Sequence, residues 1–440
     1  MESKARQRWT VILLGIATFF LFADQNLMAP NLTMIATEFG FTDIERDQKL
    51  GGDIALMFWL FGGTVSLLMG PLTDRVNRRN LFVLMLVIGE VPCFLTGLAE
   101  NYTQLLWLRG LTGVGIGAAI PLLYSLLGDL FAASQRARAT AVMGFSMGLG
   151  IALGQLLAGS LGPTHGWRLP FMLVAAPNFL VALLFLLTVR EPKRGGQEAA
   201  GVDLSADPAA SGHGGALRWS DYREAFRTPT VALVFLQGVP GTVPWGVFFT
   251  FLNDFYAQDK GYSVQAATLV VMAIGGAAIL GGFLGGLLGN RIYNRNPAWL
   301  PIYCGFTTLV GIIPTAMLLN YPSQQGVTDP SLTFPLLFGA LCGFTVAITG
   351  SNVRAILLNV TAPDQRGSVF ALYNLADDLG RGLGPWVIGL LVGVLGRTNA
   401  FNAANLFWVF CGVILIAMSR TFPRDEAALQ ERLRARAAAA

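Results

Sequence analysis

Long apolar runs dominate the chain, and short polar stretches separate them. A run of about 20 apolar residues is long enough, as a helix, to cross the hydrocarbon core of a bilayer. Twelve such runs are predicted, and we number them spans 1–12. The first six spans cover residues 9–36, 50–72, 81–99, 103–128, 138–162 and 168–189. The second six spans cover residues 230–257, 264–289, 298–319, 331–360, 366–395 and 400–420.

Residues 190–229 differ from the spans on either side. They are rich in Gly, Ala, Ser and Asp and contain hardly any apolar cluster, a composition typical of a flexible linker. The pattern therefore predicts an all-α membrane protein of twelve transmembrane helices. Residues 1–189 form one six-helix bundle, and residues 230–440 form a second bundle with a short cytoplasmic tail.

Composition agrees with this pattern. Hydrophobic residues make up 53% of the chain and charged residues only 13%, which differs strongly from soluble domains. Four cysteines lie inside apolar runs without paired or metal-like spacing, so they are interpreted as small buried hydrophobic residues. The sequence has no nucleotide-binding or metal motif, and we expect no cofactor and no metal site. The cysteines are Cys93, Cys304, Cys342 and Cys411.

The basic residues are distributed unevenly along this map. Most of the 30 Lys and Arg residues fall on the side that holds both termini and the linker, and at most five fall on the other side. The positive-inside rule then predicts a bacterial inner-membrane protein with cytoplasmic termini. The net charge of +4 therefore marks topology and not a nucleic-acid partner. The basic N-terminus imitates a signal peptide, but the apolar run continues to Ile35, so span 1 is expected to remain.

Two internal matches indicate a duplication. Residues 70–80 (GPLTDRVNRRN) and 286–296 (GLLGNRIYNRN) agree at Gly, Leu, Arg, Arg and Asn with a shift of 216. A second match pairs three glycines of span 5 with three of span 11. These glycines are Gly150, Gly154 and Gly159, paired with Gly380, Gly384 and Gly389. Repeats of like orientation predict halves related by an axis along the membrane normal, with a binding site between them near the midplane.

Two motifs point to a known family. Residues 70–79 read G-x-x-x-D-R-x-N-R-R, which resembles the signature between helices 2 and 3 of the major facilitator superfamily. Arg109, Gly113 and Gly115 of span 4 are similar to that family's R-x-x-x-G-x-G pattern. With the two halves, the resemblance covers nearly the whole chain. It implies the major-facilitator fold and a secondary active transporter that works by alternating access.

Within this family, three stretches are similar to Spinster-type lipid transporters: residues 23–30, 113–138 and 352–385. The chain departs from that type at Ile116, where a glutamate is usual, and at Gln25, where an arginine is usual. The resemblance implies a monomer among membrane lipids that moves an amphiphilic small molecule, such as a lysophospholipid, in a proton-coupled manner. Two alternatives stay open: a proton-coupled transporter of a drug or small organic anion, and a receptor of the same fold that does not transport.

Ionisable residues inside spans are the candidate coupling groups, because an ionised side chain in hydrocarbon costs about 3 kcal/mol or more. Asp24 lies halfway along span 1, and Arg109 of span 4 is expected to reach it. A carboxylate that exchanges its arginine partner for a proton couples proton flow to cargo movement. A static structural ion pair is the alternative.

Further ionisable residues lie in other spans. Span 11 carries Asp377, Asp378 and Arg381, at spacings that let both carboxylates approach Arg381, and span 10 carries Arg354. Roles in proton coupling and in locking the helix both stay open for this group. Glu90 of span 3 is expected to be a structural carboxyl group that faces the bundle, either ionised or protonated, and a role in transport is the alternative. Near the outer span ends, Asp53, Asp254 and His165 are interpreted as solvated boundary residues.

The loop signature implies a conformational latch on the inner side. By resemblance, Asp74 would face the positive N-terminal end of the span 11 helix, and Arg75 would pair with Asp129 at the inner end of span 4. Such contacts would hold the two halves together until the inner mouth opens. A purely topogenic role for the arginines is the alternative. The predicted latch consists of Gly70, Asp74, Arg75, Arg78, Arg79 and Asp129.

Uncharged polar and aromatic residues on spans 1, 4, 7 and 10 are candidate substrate contacts, because these spans line the cavity in the transporters that the chain resembles. Ordinary helix packing is the alternative for each. The candidates are Asn26, Tyr124, Gln237, Trp245, Asn253 and Asn352. An enzyme is not expected, because the GFSMG stretch at 144–148 matches the G-x-S-x-G pattern but lies inside span 5.

Overall fold

A computed structural model of the chain describes residues 4–131, 133–192, 226–361 and 366–439. All regular elements within these residues are helical, and twelve of them are long and apolar enough to cross a membrane. The predicted all-α membrane fold of twelve spans is therefore confirmed. The chain divides into two compact units, residues 1–216 and 217–440. Most of the predicted linker, residues 193–225, lies outside the described residues.

The first unit contains spans 1–6. Span 1 has two α-helical parts, Lys4–Ala23 and Leu32–Glu38. Spans 2–6 are the helices Ile54–Arg75, Arg78–Thr96, Tyr102–Leu130, Ala133–His165 and Leu169–Thr188. Asn77 and Asn101 cap the N-termini of spans 3 and 4. Each side chain accepts a hydrogen bond from a backbone N–H group that has no partner within the helix.

The second unit contains spans 7–12 and one further helix. The spans are the helices Pro229–Gln258, Val264–Arg295, Trp299–Leu319, Thr333–Val360, Arg366–Leu395 and Arg397–Met418.

The tail after span 12, predicted only as a short segment, contains the helix Phe422–Ala439. Its first turn is attached to the start of span 7, where the Thr230 N–H donates to the Asp425 carboxylate at 2.8 Å. A carboxylate is stabilised at this place by the partial positive charge of the helix N-terminus. Phe422 is fully buried, so the tail is part of the second unit.

Span 1 is interrupted in its middle. Two 3₁₀ turns, Asp24–Asn26 and Ala29–Asn31, separate its two helical parts. Pro30 accounts for the interruption, because it has no N–H to donate to the carbonyl of Asn26 and its ring collides with that group in a regular helix. The break lies next to Asp24 and therefore shapes the surroundings of its carboxylate.

Glycines allow the spans of each unit to approach closely. A Cβ atom at Gly154 of span 5 would lie 2.0 Å from the Ala23 carbonyl oxygen of span 1. In the second unit, a Cβ atom at Gly384 of span 11 would lie 2.6 Å from the Val243 carbonyl oxygen of span 7. The glycine match between spans 5 and 11 therefore corresponds to the same kind of backbone contact, repeated once in each unit.

Candidate functional site

A buried ion pair joins spans 1 and 4 in the first unit. Arg109 Nη1 donates to Asp24 Oδ1 at 2.5 Å, and Arg109 Nη2 donates to the main-chain carbonyl of Asp24 at 3.2 Å. The Asp24 side chain is 0% exposed and the Arg109 side chain 2%. Each charge depends on the other, because removing one partner leaves an uncompensated charge in the interior.

Two features of the fold hold Arg109 in place. The interruption of span 1 leaves the Asp24 carbonyl with only a long bond of 3.4 Å from the Leu27 N–H, so this oxygen is available to the guanidinium. The guanidinium carbon also lies 5.1 Å from the ring centre of Phe58 in span 2 and 5.3 Å from that of Phe171 in span 6. Cation–π contacts of this kind stabilise a cation that has lost its water.

A second carboxyl group lies beside the pair. Glu90 of span 3 is fully buried, and its Oε1 accepts a bond of 2.6 Å from Asn178 Nδ2 of span 6. Glu90 interacts electrostatically with both Asp24 and Arg109. Spans 1, 3 and 4 thus supply three ionisable groups to one cluster within the first unit.

Three polar atoms of this cluster lack a hydrogen-bond partner among the described residues: Asp24 Oδ2, Arg109 Nε and Glu90 Oε2. An unsatisfied buried polar group costs about 1–3 kcal/mol. These atoms include both a donor and acceptors, so a proton or a rearranged ion pair would satisfy them. The cluster therefore has more than one way to distribute its charges.

The predicted polar group of spans 10 and 11 lies within the second unit. Asp377 is 7% exposed and interacts electrostatically with Arg381 of its own helix and with Arg354 of span 10. Arg381 Nη1 lies 3.5 Å from Asp378 Oδ1. The Arg381 side chain is 36% exposed. Its contact with Asp378 is therefore more solvated than the contact between Asp24 and Arg109, and its distance is also longer.

A buried arginine occupies the predicted latch region. Arg78 donates to the Asp129 carboxylate, to Glu191 Oε1 at 2.8 Å, to the Ser125 hydroxyl at 3.2 Å and to the Pro192 carbonyl at 3.1 Å. These partners belong to span 4 or follow span 6. Arg78 therefore links the start of span 3, the C-terminal end of span 4 and the segment after span 6 within the first unit.

The other residues of the predicted latch differ from Arg78 in what the structure shows of them. Arg78 contacts Asp129, and the predicted pairing of Arg75 with Asp129 stays a prediction, because the Arg75 side chain lies outside what the structure describes. Arg79 donates its backbone N–H to Glu191 Oε2 at 2.8 Å, which ties it to the same group. Gly70 and the side chains of Asp74 and Arg75 lie outside the described residues, and so does the predicted contact of Asp74 with span 11.

Three of the predicted substrate contacts have side chains that are at least partly exposed. Tyr124 is 42% exposed. Trp245 is partly exposed and stacks on Phe249, with the ring centres 5.6 Å apart. Asn26 lies in the interrupted part of span 1, and its Nδ2 has no hydrogen-bond partner among the described residues.

The other three predicted substrate contacts are buried in the second unit and take part in packing. Asn253 donates to the Thr268 hydroxyl of the neighbouring span at 2.8 Å. Asn352 donates to the Ile348 carbonyl at 2.8 Å, and Gln237 donates to a carbonyl of its own helix at 3.0 Å. These three amides contribute to helix packing in this structure, and their role as substrate contacts stays a prediction.

Two groups of ion pairs at the span ends opposite the chain termini were not predicted. In the first unit, Arg168 next to span 6 lies 2.6 Å from Glu38 at the end of span 1. In the second unit, Arg397 at the start of span 12 lies 2.8 Å from Asp254 and 2.5 Å from Asp259, near the end of span 7. The interpretation of Asp254 as a solvated residue was wrong, because its side chain is 2% exposed and Arg397 compensates its charge.

The described part of the chain offers no metal site and no hydrolytic centre. Its His, Cys, Asp and Glu side chains form no group of three that could hold a metal ion. The GFSMG stretch lies within the helix Ala133–His165, whereas a nucleophile elbow needs a strand, a sharp turn and a helix.

Comparison with known proteins identifies a family whose sequence model matches the chain and individual relatives of similar sequence. The sequence model of the Major Facilitator Superfamily matches residues 14–328 and 326–439. The chain is 23% identical over 414 residues to the uncharacterized MFS-type transporter YceJ of Bacillus subtilis, with 92% of this chain and 94% of that protein covered. It is 26% identical over 406 residues to Protein spinster homolog 1 of Homo sapiens, with 84% of this chain and 73% of that protein covered.

Two solved structures share the fold. Both are crystal structures of a bacterial homolog to the human lysosomal transporter Spinster in an inward-facing conformation. The unoccupied form matches with a TM-score of 0.80 and 22% identity, over 96% of this chain and 99% of that chain. The occupied form matches with a TM-score of 0.77 and 21% identity over the same shares, 96% and 99%.

Proposed function

The chain belongs to the major facilitator superfamily, and we propose that it is a transporter of Spinster type that moves an amphiphilic small molecule, such as a lysophospholipid, in a proton-coupled manner. It is a multi-pass membrane protein and not an enzyme. The observation that supports proton coupling is the buried pair of Asp24 and Arg109, at 2.5 Å.

This pair suits coupling because its two charges compensate each other only while they are in contact. Protonation of Asp24 removes the negative charge and leaves a buried guanidinium that must find another partner. A change of protonation is thereby linked to a change of arrangement, which is what a proton-driven transporter requires. Asp24 Oδ2 and Arg109 Nε are unpaired among the described residues, as expected for a pair that has a second arrangement.

An amphiphilic cargo is supported by the mixed character of the available candidates. Asn26 and Tyr124 offer polar groups, and the stacked rings of Trp245 and Phe249 offer an apolar surface. A sugar, with its many hydroxyl groups, would need a denser set of hydrogen-bonding side chains. The similarity to Protein spinster homolog 1 also favours this cargo class.

We further propose that the protein works as a monomer in a bacterial inner membrane with both termini in the cytoplasm, because the basic residues concentrate on the side of the termini. Asp329, exposed between spans 9 and 10, would then face outward. Asp329→Cys should react with a membrane-impermeant maleimide in intact cells, and the four native cysteines are buried. Labelling only in inverted vesicles would reverse the orientation.

Transport is tested with purified protein in proteoliposomes. Flux of a radiolabelled lysophospholipid should increase under an imposed pH gradient and collapse when a protonophore is added. Asp329→Asn, which changes an exposed loop carboxylate, serves as the control and should behave as wild type. A pH-driven flux of drugs or organic anions without lysophospholipid flux would replace the cargo, and binding without any flux would favour a receptor.

A further inference from the structure

We propose that Glu90 is a second proton-carrying group of this transporter, which exchanges its proton with Asp24 while Arg109 changes partner between the two carboxylates. The inference rests on the proposed proton coupling and adds a residue on span 3 to it. All of the groups involved lie within the first unit.

Glu90 reaches the cluster because spans 3 and 4 are in close contact beside it. A Cβ atom at Gly115 of span 4 would lie 2.6 Å from Gly89 Cα, and a Cβ atom at Gly89 would lie 3.0 Å from Gly115 Cα. Only glycines on both helices allow this approach. The next residue of span 3 is Glu90, so its carboxyl group is brought into the interior of the unit.

The surroundings of Glu90 contain few charges. Among the residues that the structure describes, the titratable or charged groups that interact with it are Asp24 of span 1, Arg109 of span 4 and the thiol of Cys93 on its own helix. Glu90 also lies close to span 1, because the Asn178 amide that donates to it donates to the Ala17 carbonyl of span 1 at 3.1 Å. Span 6 contributes the neutral amide of Asn178. One cation is therefore shared between two carboxyl groups.

Charge counting decides which carboxyl group holds the proton. Arg109 is bonded to Asp24 at 2.5 Å, whereas the bond to Glu90 comes from an uncharged amide at 2.6 Å. If both carboxyl groups were ionised, the fully buried cluster would hold an excess negative charge, which is strongly unfavourable without solvent. Glu90 is therefore the protonated group in this arrangement.

The exchange leaves the charge of the cluster unchanged. The Glu90 O–H bond breaks, and a new O–H bond forms on the Asp24 carboxylate. Arg109 leaves the neutral Asp24 carboxyl group and pairs with the new Glu90 carboxylate, so the net charge is zero before and after. Arg109 Nε and Glu90 Oε2, both unpaired among the described residues, are the donor and acceptor that the second arrangement would join.

Glu90→Gln separates this role from a structural one. Glutamine keeps an oxygen that accepts from Asn178, as a protonated glutamic acid does, but it has no proton to transfer. We expect Glu90→Gln to keep cargo exchange at equal pH on both sides and to lose uptake driven by a pH gradient. Glu90→Asp should recover part of that uptake. Glu100→Gln, an exposed acid that follows span 3, should match wild type.

A measurement without cargo tests the protonation directly. The infrared spectrum of the purified protein at neutral pH should contain a carboxylic-acid carbonyl band that Glu90→Gln removes and Glu100→Gln retains. If Glu90→Gln does not fold, Glu90→Asn decides, because it also lacks a carboxyl group and a band retained in that variant would place the proton elsewhere.

The outcomes separate the two proposals. Wild-type levels of pH-driven uptake in Glu90→Gln, or an unaltered infrared band, would overturn the role of Glu90 and leave the proposed transport intact. A wild-type protein that shows no pH-driven flux of any cargo would overturn proton coupling itself, and with it the exchange step.

Discussion

Arg109 contacts Asp24 at two places, the carboxylate at 2.5 Å and the main-chain carbonyl at 3.2 Å. The second contact depends on the interruption of span 1, which frees that carbonyl from a regular helical bond. A guanidinium that is also bonded to the backbone stays near span 1 when the carboxylate takes up a proton. The helix break and the ion pair therefore belong to one arrangement, in which protonation changes a single contact.

Asp24→Asn should abolish pH-driven transport and leave cargo binding measurable. Asparagine has nearly the same shape as the protonated side chain but cannot release a proton. Uptake in proteoliposomes under a pH gradient measures the first effect, and thermal stabilisation by bound cargo measures the second. Unchanged pH-driven uptake in Asp24→Asn would remove this residue from the coupling mechanism.

Arg109→Gln should destabilise the first unit, because it leaves the Asp24 carboxylate buried without a cation. Breaking a buried pair in this way costs about 3–5 kcal/mol. The double variant Arg109→Gln/Asp24→Asn should recover part of that loss, since it removes both charges. A thiol-reactive dye reports unfolding, because the native cysteines are buried. A double variant no more stable than Arg109→Gln would contradict the pairing.

Gly154→Ala should lower the melting temperature, because its Cβ atom would lie 2.0 Å from the Ala23 carbonyl oxygen. Overpacking of this kind typically costs about 1–3 kcal/mol. Gly144→Ala on the same helix is the matched control, since a Cβ atom there has no neighbour within 4 Å among the described residues. The control should melt at or above the wild-type temperature, because alanine favours a helix by about 1 kcal/mol over glycine. Equal melting temperatures for the two variants would refute the close contact.

Arg397→Gln should destabilise the protein more than Arg168→Gln. Arg397 compensates Asp254, whose side chain is 2% exposed, whereas Arg168 pairs with Glu38, which is 42% exposed. An exposed pair contributes about 0–1 kcal/mol, and an uncompensated buried carboxylate costs several times more. Thermal unfolding of both variants measures the difference, and raising the salt concentration should affect only the Arg168 pair noticeably. The reverse order of stability would show that Asp254 is not buried as described.

Several features of the site could be predicted from the sequence, because they follow from the free energy that a charged side chain costs inside an apolar span. An aspartate and an arginine in two apolar spans each need a partner, so the pairing of Asp24 with Arg109 was a reasonable expectation, and the structure contains this contact. Glu90 was interpreted as a structural group, because third helices are mostly peripheral in the fold that the chain resembles. Its position beside Asp24 and Arg109 could not be predicted, because the sequence of one helix does not reveal which other helices face it.

Choices among neighbouring residues were also beyond the sequence. The sequence predicted Arg75 as the partner of Asp129 and did not predict a contact of Arg78 with it. The structure shows Arg78 in contact with Asp129, because Arg78 follows the Asn77 cap and is turned toward spans 4 and 6. The phase of a helix and the packing of its neighbours decide such contacts.

The sequence by itself determined the all-α membrane class, the twelve spans and the family. A bilayer requires long apolar segments whose backbone bonds are satisfied internally, and this requirement can be read from local composition. Only the tertiary structure decided that Glu90 shares a cluster with Asp24 and Arg109, that Arg78 meets Asp129, and that Asp254 is buried. Those contacts join residues far apart in the chain, and their energies depend on how closely the helices pack.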